Sequence, residues 1–579
     1  MTAPAPRLVR ISGALAEAEP LPFASLYELA RVGERGLLGE IIRIAGERAT
    51  VQVYEETSGL KVGEPLTLTG QSLTVQLGPG LLGSVLDGVG RPLARIASAT
   101  GDFIHAGAAA VTLDPTTRWA FAPLAQTGAS VSGGHVLGTV EERPGFVHRV
   151  LVPPGVSGTL ASVSAGSFGV GDPVARLEDG TPLAMSHTWA VRQPRPVERR
   201  LPLSAPFVTG QRVFDFLFPV AEGGSVAVPG GFGTGKTVIE QSLAKYAEAD
   251  VMVYVGCGER GNEMAEVLEE FPRLVDPRTG RPVMDRTVLI VNTSNMPVAA
   301  REASVYIGIT IAEYYRDMGY RVALMADSLS RWGEALREIG ARLQEMPGEE
   351  GYPTYLGNRL GKFYERAGRV RALGAPDRDG ALTVISAISP PGGDFSEPVT
   401  QAALRVVGAL WALDASLAHQ RQFPAVDWET SYSLYVNVTA PWFAEHAGAD
   451  WSGLRRETLE LLQRDRELRE IAELVGPEAL LDVDRLLLEV ARTIRETVLG
   501  QSAHDPNDAV STLEKTHRLA ALALDLHRAG MRALDAGRTF EQLDLATVRR
   551  LLAALRRAAP ADVPACAAAA QAALEALAS

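Results

Sequence analysis

Residues 230–237 read Gly-Gly-Phe-Gly-Thr-Gly-Lys-Thr and fit G-x-x-x-x-G-K-[ST] at every fixed position. The chemistry this spacing serves is the gripping of a polyphosphate. Its oxygens are closely spaced and negative, and backbone N–H groups converge on them only where bulky Cβ atoms are missing. Gly230, Gly231, Gly233 and Gly235 meet that need, with Phe232 and Thr234 filling the variable positions. A helix starting at the loop adds its N-terminal N–H groups and positive dipole end. Lys236 brings a point charge to the β/γ oxygens, and Thr237 offers a hydroxyl to Mg²⁺. A Gly-rich turn meeting Lys-Thr by accident is the bland alternative, and the apolar run Ser225–Val228 before the loop and the helical pattern Val238–Tyr246 after it argue against that.

A hydrated metal also needs a carboxylate at the end of a neighbouring apolar strand. Asp327, closing Arg-Val-Ala-Leu-Met-Ala-Asp, has that form; it could instead cap the next helix, because Ser328 and Ser330 follow. Beside the phosphate loop the metal role is preferred. Hydrolysis needs a further group that orients water at the γ-phosphorus. The strand Val251–Val255 exits into Gly-Cys-Gly-Glu-Arg-Gly-Asn-Glu, a Gly-bounded turn at the strand end where doubly wound sheets bind ligands. Glu259 is the candidate base and Arg260 the candidate charge neutraliser. Taken without the loop, Glu259 and Arg260 would read as an ordinary surface pair. For a base with a flat apolar face, Phe423 in Gln-Phe-Pro is a candidate platform, and core packing explains it equally well.

The elements that must position these groups change along the chain. Up to about residue 72, alternation such as Thr50-Val51-Gln52-Val53 between glycine turns suits a small β-barrel or sandwich. Residues 107–193 form a second β-rich stretch broken by Pro144-Gly145 and Pro153-Pro154-Gly155. From about Arg200, apolar strand-like runs alternate with amphipathic helices, which implies a mostly parallel sheet wrapped by helices. After about Pro441 the pattern is helical, with Leu461, Leu468 and Val475 at heptad spacing. The expected organisation is multidomain α/β: 1–72 as β-barrel, 107–193 as β-rich insert, 73–106 with 194–440 as nucleotide-binding domain, and 441–579 as helical domain.

Composition bounds the function. The 579 residues carry 56 Lys+Arg against 69 Asp+Glu, a net charge of −13 that argues against a general nucleic-acid backbone binder. Two cysteines, Cys257 and Cys566, make no disulfide framework and cannot alone make a zinc site. The amino terminus lacks an apolar signal-peptide core, and no apolar run is long enough to span a bilayer.

The order of these pieces resembles the catalytic alpha chain (the A-type subunit) of V/A-type rotary ATPases and ATP synthases. Its markers are Thr209–Val213 (TGQRV) leading to the phosphate loop, Gly258–Glu263 (GERGNE), Asn292–Pro297 (NTSNMP), Ala326–Trp332 (ADSLSRW), Pro390–Phe395 (PPGGDF) and Pro424–Ser433 (PAVDWETSYS). The resemblance implies a RecA-like P-loop domain between an N-terminal β-barrel with a bulge insert and a C-terminal helical domain. It implies ATP/ADP and Mg²⁺ as ligands. It also implies an alternating A3B3 hexamer with a B subunit that lends an arginine, a central stalk meeting residues 476–482, and a peripheral stalk. Attachment to the cytoplasmic face of a membrane would come only through other subunits, and the coupled ion would be a proton or sodium. His504, in Gln-Ser-Ala-His, stands where the family usually has a second aromatic, Phe, near adenine; Thr234 stands where eukaryotic relatives often have Cys, and relatives vary at Gly231. The competing readings are a homohexameric RecA-like translocation or secretion ATPase, which would generally lack the 107–193 insert, and a regulatory subunit that binds nucleotide without turning it over.

Overall fold

The computed structural model describes residues 5–101, 107, 111–231 and 233–578. Phe232 therefore lies outside the described residues. The chain divides into two compact units: Met1–Pro202 with Ala249–Pro390 and Asp394–Val406, and Leu203–Glu248 with Pro391–Gly393 and Val407–Ser579.

The first unit opens with six antiparallel strands between Arg7 and Ser72. The first and last of them are stitched by Leu8 N–H to the Glu64 carbonyl at 2.9 Å and Leu66 N–H to the Pro6 carbonyl at 3.0 Å, which closes a barrel and removes its edges. Leu8, Val32, Ile41, Val51 and Leu66 fill it, the inward members of alternating strands. The insert is two four-stranded antiparallel sheets, built on Val136–Arg143 with Phe146–Leu151 and on Gly158–Val163 with Pro173–Leu177, around Leu137, Val150, Leu160 and Val174.

The core of this unit is a parallel sheet ordered Asp379–Ile388, Arg321–Asp327, Val251–Glu259, Thr287–Thr293, Val85–Asp87. Its strands are apolar on both faces because both faces are covered. All nine residues of Val251–Glu259 are buried, and the helix Val298–Asp317 is buried along nearly its whole length. Such burial forces its polar residues to find partners. Glu302 meets Arg192 at 2.8 Å, and Asp317 meets Arg195 at 2.6 Å. The insert is joined to the same helix by an unexposed cluster: His148 Nδ1 pairs with Glu142 at 2.6 Å, and its Nε2 with the Tyr314 hydroxyl at 2.9 Å.

The second unit carries the strands Ser225–Pro229, Ala409–Leu410 and Tyr432–Ser433, and then helices. Lys236–Tyr246 follows the phosphate loop; Trp451–Val475, Asp482–Ile494, Leu513–Asp535, Leu545–Arg557 and Val563–Ala578 form the carboxyl-terminal bundle. Pro441 sits inside the Val436–His446 helix. Among the described residues no helix is long and apolar enough to cross a membrane.

Candidate nucleotide site

In the second unit the loop leaves the strand Ser225–Pro229 and becomes the Lys236–Tyr246 helix, whose first turn has no side-chain cap. A helix start without a side-chain cap, at a glycine-rich entry, is a place where backbone N–H groups can meet an anion. The glycines have separate reasons. A Cβ on Gly230 would come within 2.8 Å of Thr234 Oγ1 and of Leu413 Cβ, and Gly235 has φ +88°, a left-handed conformation that L side chains resist. Gly231 and Gly233 face open space, which leaves room for a ligand. Thr234 is buried and its hydroxyl donates to the Gly231 carbonyl at 2.9 Å, bracing the loop from inside. Lys236 Nζ donates to the Gly230 carbonyl at 2.8 Å, so the ammonium is already folded over the loop.

Beside the loop lies a cavity of about 610 Å³ lined by Thr234 and Gly235 at one side and by Phe423, Gln501 and His504 elsewhere. Phe423 is 44% exposed, so it is not core packing. The volume suits a base and sugar attached to phosphates held at the loop. The cavity is more polar than Phe423 and His504 alone suggest: Arg492, Arg495, Glu496 and Arg556 also line it. Nothing in local spacing marks those four, since they come from bundle helices distant in sequence.

The first unit carries the carboxylates. Glu259 is the last residue of its strand, not a member of the following turn as expected. Gly256–Glu259 continues the parallel ladder against Val291, Asn292 and Thr293, with one register slip at Gly258, whose φ of +73° lets the strand bend. Asp327 ends the adjacent parallel strand and does not cap the next helix; Ser328 occupies the N-cap position, without a side-chain bond. The two carboxylates thus sit at the carboxyl ends of neighbouring strands, the edge of an open sheet where ligands bind. Glu259 is 9% exposed and its Oε1 has no hydrogen-bond partner. Burial, then the charge of Asp327, then Glu263, push its carboxyl up to about 8, while Ser328 pulls weakly the other way. The Arg260 side chain is 59% exposed and approaches Glu263 at 4.0 Å. Arg301, which lies against Gly258 and donates to the Ser294 carbonyl at 2.9 Å, supports the bend and was not marked by any sequence motif.

Thr237 and Asp327 offer a hydroxyl and a carboxylate, the oxygen donors that Mg²⁺ prefers. Among the described residues there is no cluster of three or more His, Cys, Asp or Glu suited to a metal. Each unit thus supplies one oxygen donor of a kind that suits Mg²⁺, Thr237 in the second and Asp327 in the first.

A glycine-rich loop at a helix start with a base-sized cavity beside it, and a parallel sheet ending in carboxylates, define a P-loop nucleotide-binding protein of RecA-like architecture. Residues 210–433 match the nucleotide-binding domain of the ATP synthase alpha/beta family, 8–70 its β-barrel domain, 110–192 the ATP synthase alpha/beta subunit barrel-sandwich domain, and 440–543 the C-terminal domain of V and A type ATP synthase. The V-type ATP synthase alpha chain of Anaeromyxobacter dehalogenans (strain 2CP-C) is 58% identical over 573 residues, covering 99% of this chain and 98% of that one. The corresponding A-type ATP synthase chain of Methanopyrus kandleri is 55% identical over 535 residues, covering 92% and 90%. The chain belongs to the family of V- and A-type ATP synthase alpha (A) chains. A solved structure of the assembled ATPase EscN, from an enteropathogenic E. coli type III secretion system, shares the fold alone: TM-score 0.63, 22% identity, over 90% of this chain and 100% of that one.

Proposed function

We propose that this chain is the catalytic subunit of a rotary ATPase or ATP synthase, coupling cleavage or formation of Mg-ATP to turning of a central stalk and to transport of protons or sodium. The observation that carries the reading is Glu259: a buried carboxylate with an unpartnered oxygen, at the end of a parallel strand, in a chain with a complete phosphate loop. In the proposed roles, backbone N–H groups of 230–235 and Lys236 hold the phosphates. Phe423 and His504 flank the base. Thr237 and Asp327 hold Mg²⁺, which when bound draws charge from the β/γ oxygens. Glu259 accepts a proton from the attacking water, and Arg260 offsets charge on the transferring phosphoryl group. The carboxyl-terminal domain match sets this family apart from the secretion-ATPase alternative.

The proposed assembly alternates three copies of this chain with three B subunits, each site completed by an arginine from B. Around the turn 476–482, Leu474 is 86% and Leu481 73% exposed, a surface suited to a central-stalk contact. A peripheral stalk completes the complex, and membrane attachment at the cytoplasmic face runs through other subunits. The test is reconstitution: the purified chain is mixed with its candidate B partner, and the mass and Mg-ATPase activity are measured. A hexamer that hydrolyses ATP only with both chains supports the reading; an active homohexamer of this chain alone refutes it.

A further inference from the structure

Gln501 is buried and makes three bonds inside the second unit. Its backbone N–H donates to the Phe423 carbonyl at 2.8 Å, its Oε1 accepts from the Arg212 N–H at 2.8 Å, and its Nε2 donates to the Gly210 carbonyl at 2.9 Å. Those partners belong to two different ends of the candidate site. Phe423 lines the base cavity. Gly210–Arg212 lead through the turn Val213–Leu217 to Ser225–Pro229, the strand that delivers the phosphate loop. Arg212 anchors the arrangement. It is fully buried, donates to the carbonyls of Val498 (2.9 Å) and Gly500, and pairs with Asp508 at 2.7 Å; Asp508 also accepts the Ser502 N–H at 2.8 Å. The cavity wall at 501–504 is therefore joined to the segment before the phosphate loop by several buried hydrogen bonds and an ion pair, which together restrict its geometry.

We propose that Gln501 is a positioning residue that sets the base end of the site at a fixed offset from the phosphate end. It acts through Phe423 and the Gly210–Arg212 segment. The proposal rests on the nucleotide reading above and adds a residue to it. A ligand that spans both ends, ATP, senses the offset. Inorganic tripolyphosphate reaches only the loop and does not.

The test compares Mg-ATP with Mg-tripolyphosphate by titration calorimetry on the full chain, and KM with kcat on the reconstituted complex, for wild type and Gln501→Met. Methionine keeps the length of the side chain and removes both polar bonds. The expected result is a loss of ATP affinity of about tenfold, the scale of one or two net hydrogen bonds, matched by a similar rise in KM. Tripolyphosphate binding is expected within about twofold of wild type, because the loop's own bonds are untouched. If Gln501→Met fails to fold, Gln501→Glu, which keeps the acceptor for Arg212, is expected to show the same asymmetry at about threefold. Unchanged ATP affinity, or equal weakening of both ligands, overturns the proposal while leaving the nucleotide reading intact. A wild-type chain that binds neither ligand overturns that reading and this one with it.

Discussion

Replacing Glu259 by Gln exchanges one oxygen for NH₂ at constant volume, and the structure fixes two separate consequences. The first concerns stability. Burial and the neighbouring Asp327 raise the Glu259 carboxyl from 4.5 to about 8. An acid whose value is raised on folding gives its full contribution to stability below the unfolded value and loses it as pH climbs through the folded one. Gln has no such dependence. The variant is therefore expected to match wild type near pH 4.5 and to gain on it between pH 4.5 and 8, levelling off above that. At 1.36 kcal/mol per pH unit the gain is bounded at about 5 kcal/mol. Denaturant unfolding of the isolated chain at about pH 5, 7 and 9 measures it.

The second consequence concerns turnover. A base must be unprotonated to accept a proton, and kcat/KM reports the protonation of the free enzyme. In the reconstituted complex, wild-type kcat/KM is expected to rise about tenfold per pH unit up to about pH 8 and then level off. The amide introduced by Glu259→Gln cannot take the proton, so turnover is expected to fall by about 10²–10⁴, a barrier increase of roughly 2.7–5.5 kcal/mol. Mg-ATP binding is expected to persist, because the phosphate loop is unaltered. A variant with near-normal turnover removes Glu259 from the base role. A wild-type profile flat from about pH 6 to 8, or a stability gain that shrinks with rising pH, refutes the electrostatic reasoning.

Lys236→Gln is expected to weaken Mg-ATP binding by roughly ten- to a hundredfold, the value of one charge-assisted hydrogen bond, measured by calorimetry on the full chain. Gly235→Ala places a Cβ on a residue at φ +88° and is expected to cost about 1–2 kcal/mol, read as a lowered denaturation midpoint, with weaker phosphate binding alongside. His504→Phe enlarges the apolar platform of the base cavity and is expected to lower the KM for ATP a few-fold without altering tripolyphosphate binding, in line with about 0.5–1.5 kcal/mol for an added aromatic contact.

The phosphate loop was legible because its chemistry is local. Eight consecutive residues set both the loop and the helix start, and no distant contact is needed to give Gly235 its left-handed backbone. The alternation of strands and helices was legible for the same reason: a strand buried on both faces must be continuously apolar, as Val251–Val255 is. Where that strand ends was not legible. Gly256, Cys257 and Gly258 look like a turn, yet the ladder from Thr287–Thr293 holds them in the sheet, so pairing overrides the local preference. The base cavity was half legible. Phe423 and His504 could be named, but Arg492, Arg495 and Arg556 enter it only because bundle helices fold back beside it, and helix spacing carries no record of what a face will meet. Gln501 was likewise invisible, since its role lies in bonds to Gly210 and Arg212 nearly three hundred positions away.

The first unit also supplies its own control for Glu259. Burial alone would raise the carboxyls of Glu142 and Glu302, yet His148 and Arg192 outweigh it and both end below the ordinary value. Glu313 is paired with Arg366, and Asp317 with Arg195 at 2.6 Å. Two further carboxylates, Glu259 and Asp327, end neighbouring parallel strands, and the charge of Asp327 adds to burial in raising the Glu259 carboxyl. Like charges brought close together cost stability. A cation bound with the ligand would bring positive charge to these strand ends. On the proposed reading, a carboxyl held protonated by its surroundings is released as a base when that charge comes near. Ligand binding and readiness for proton transfer are then one linked equilibrium rather than two independent events.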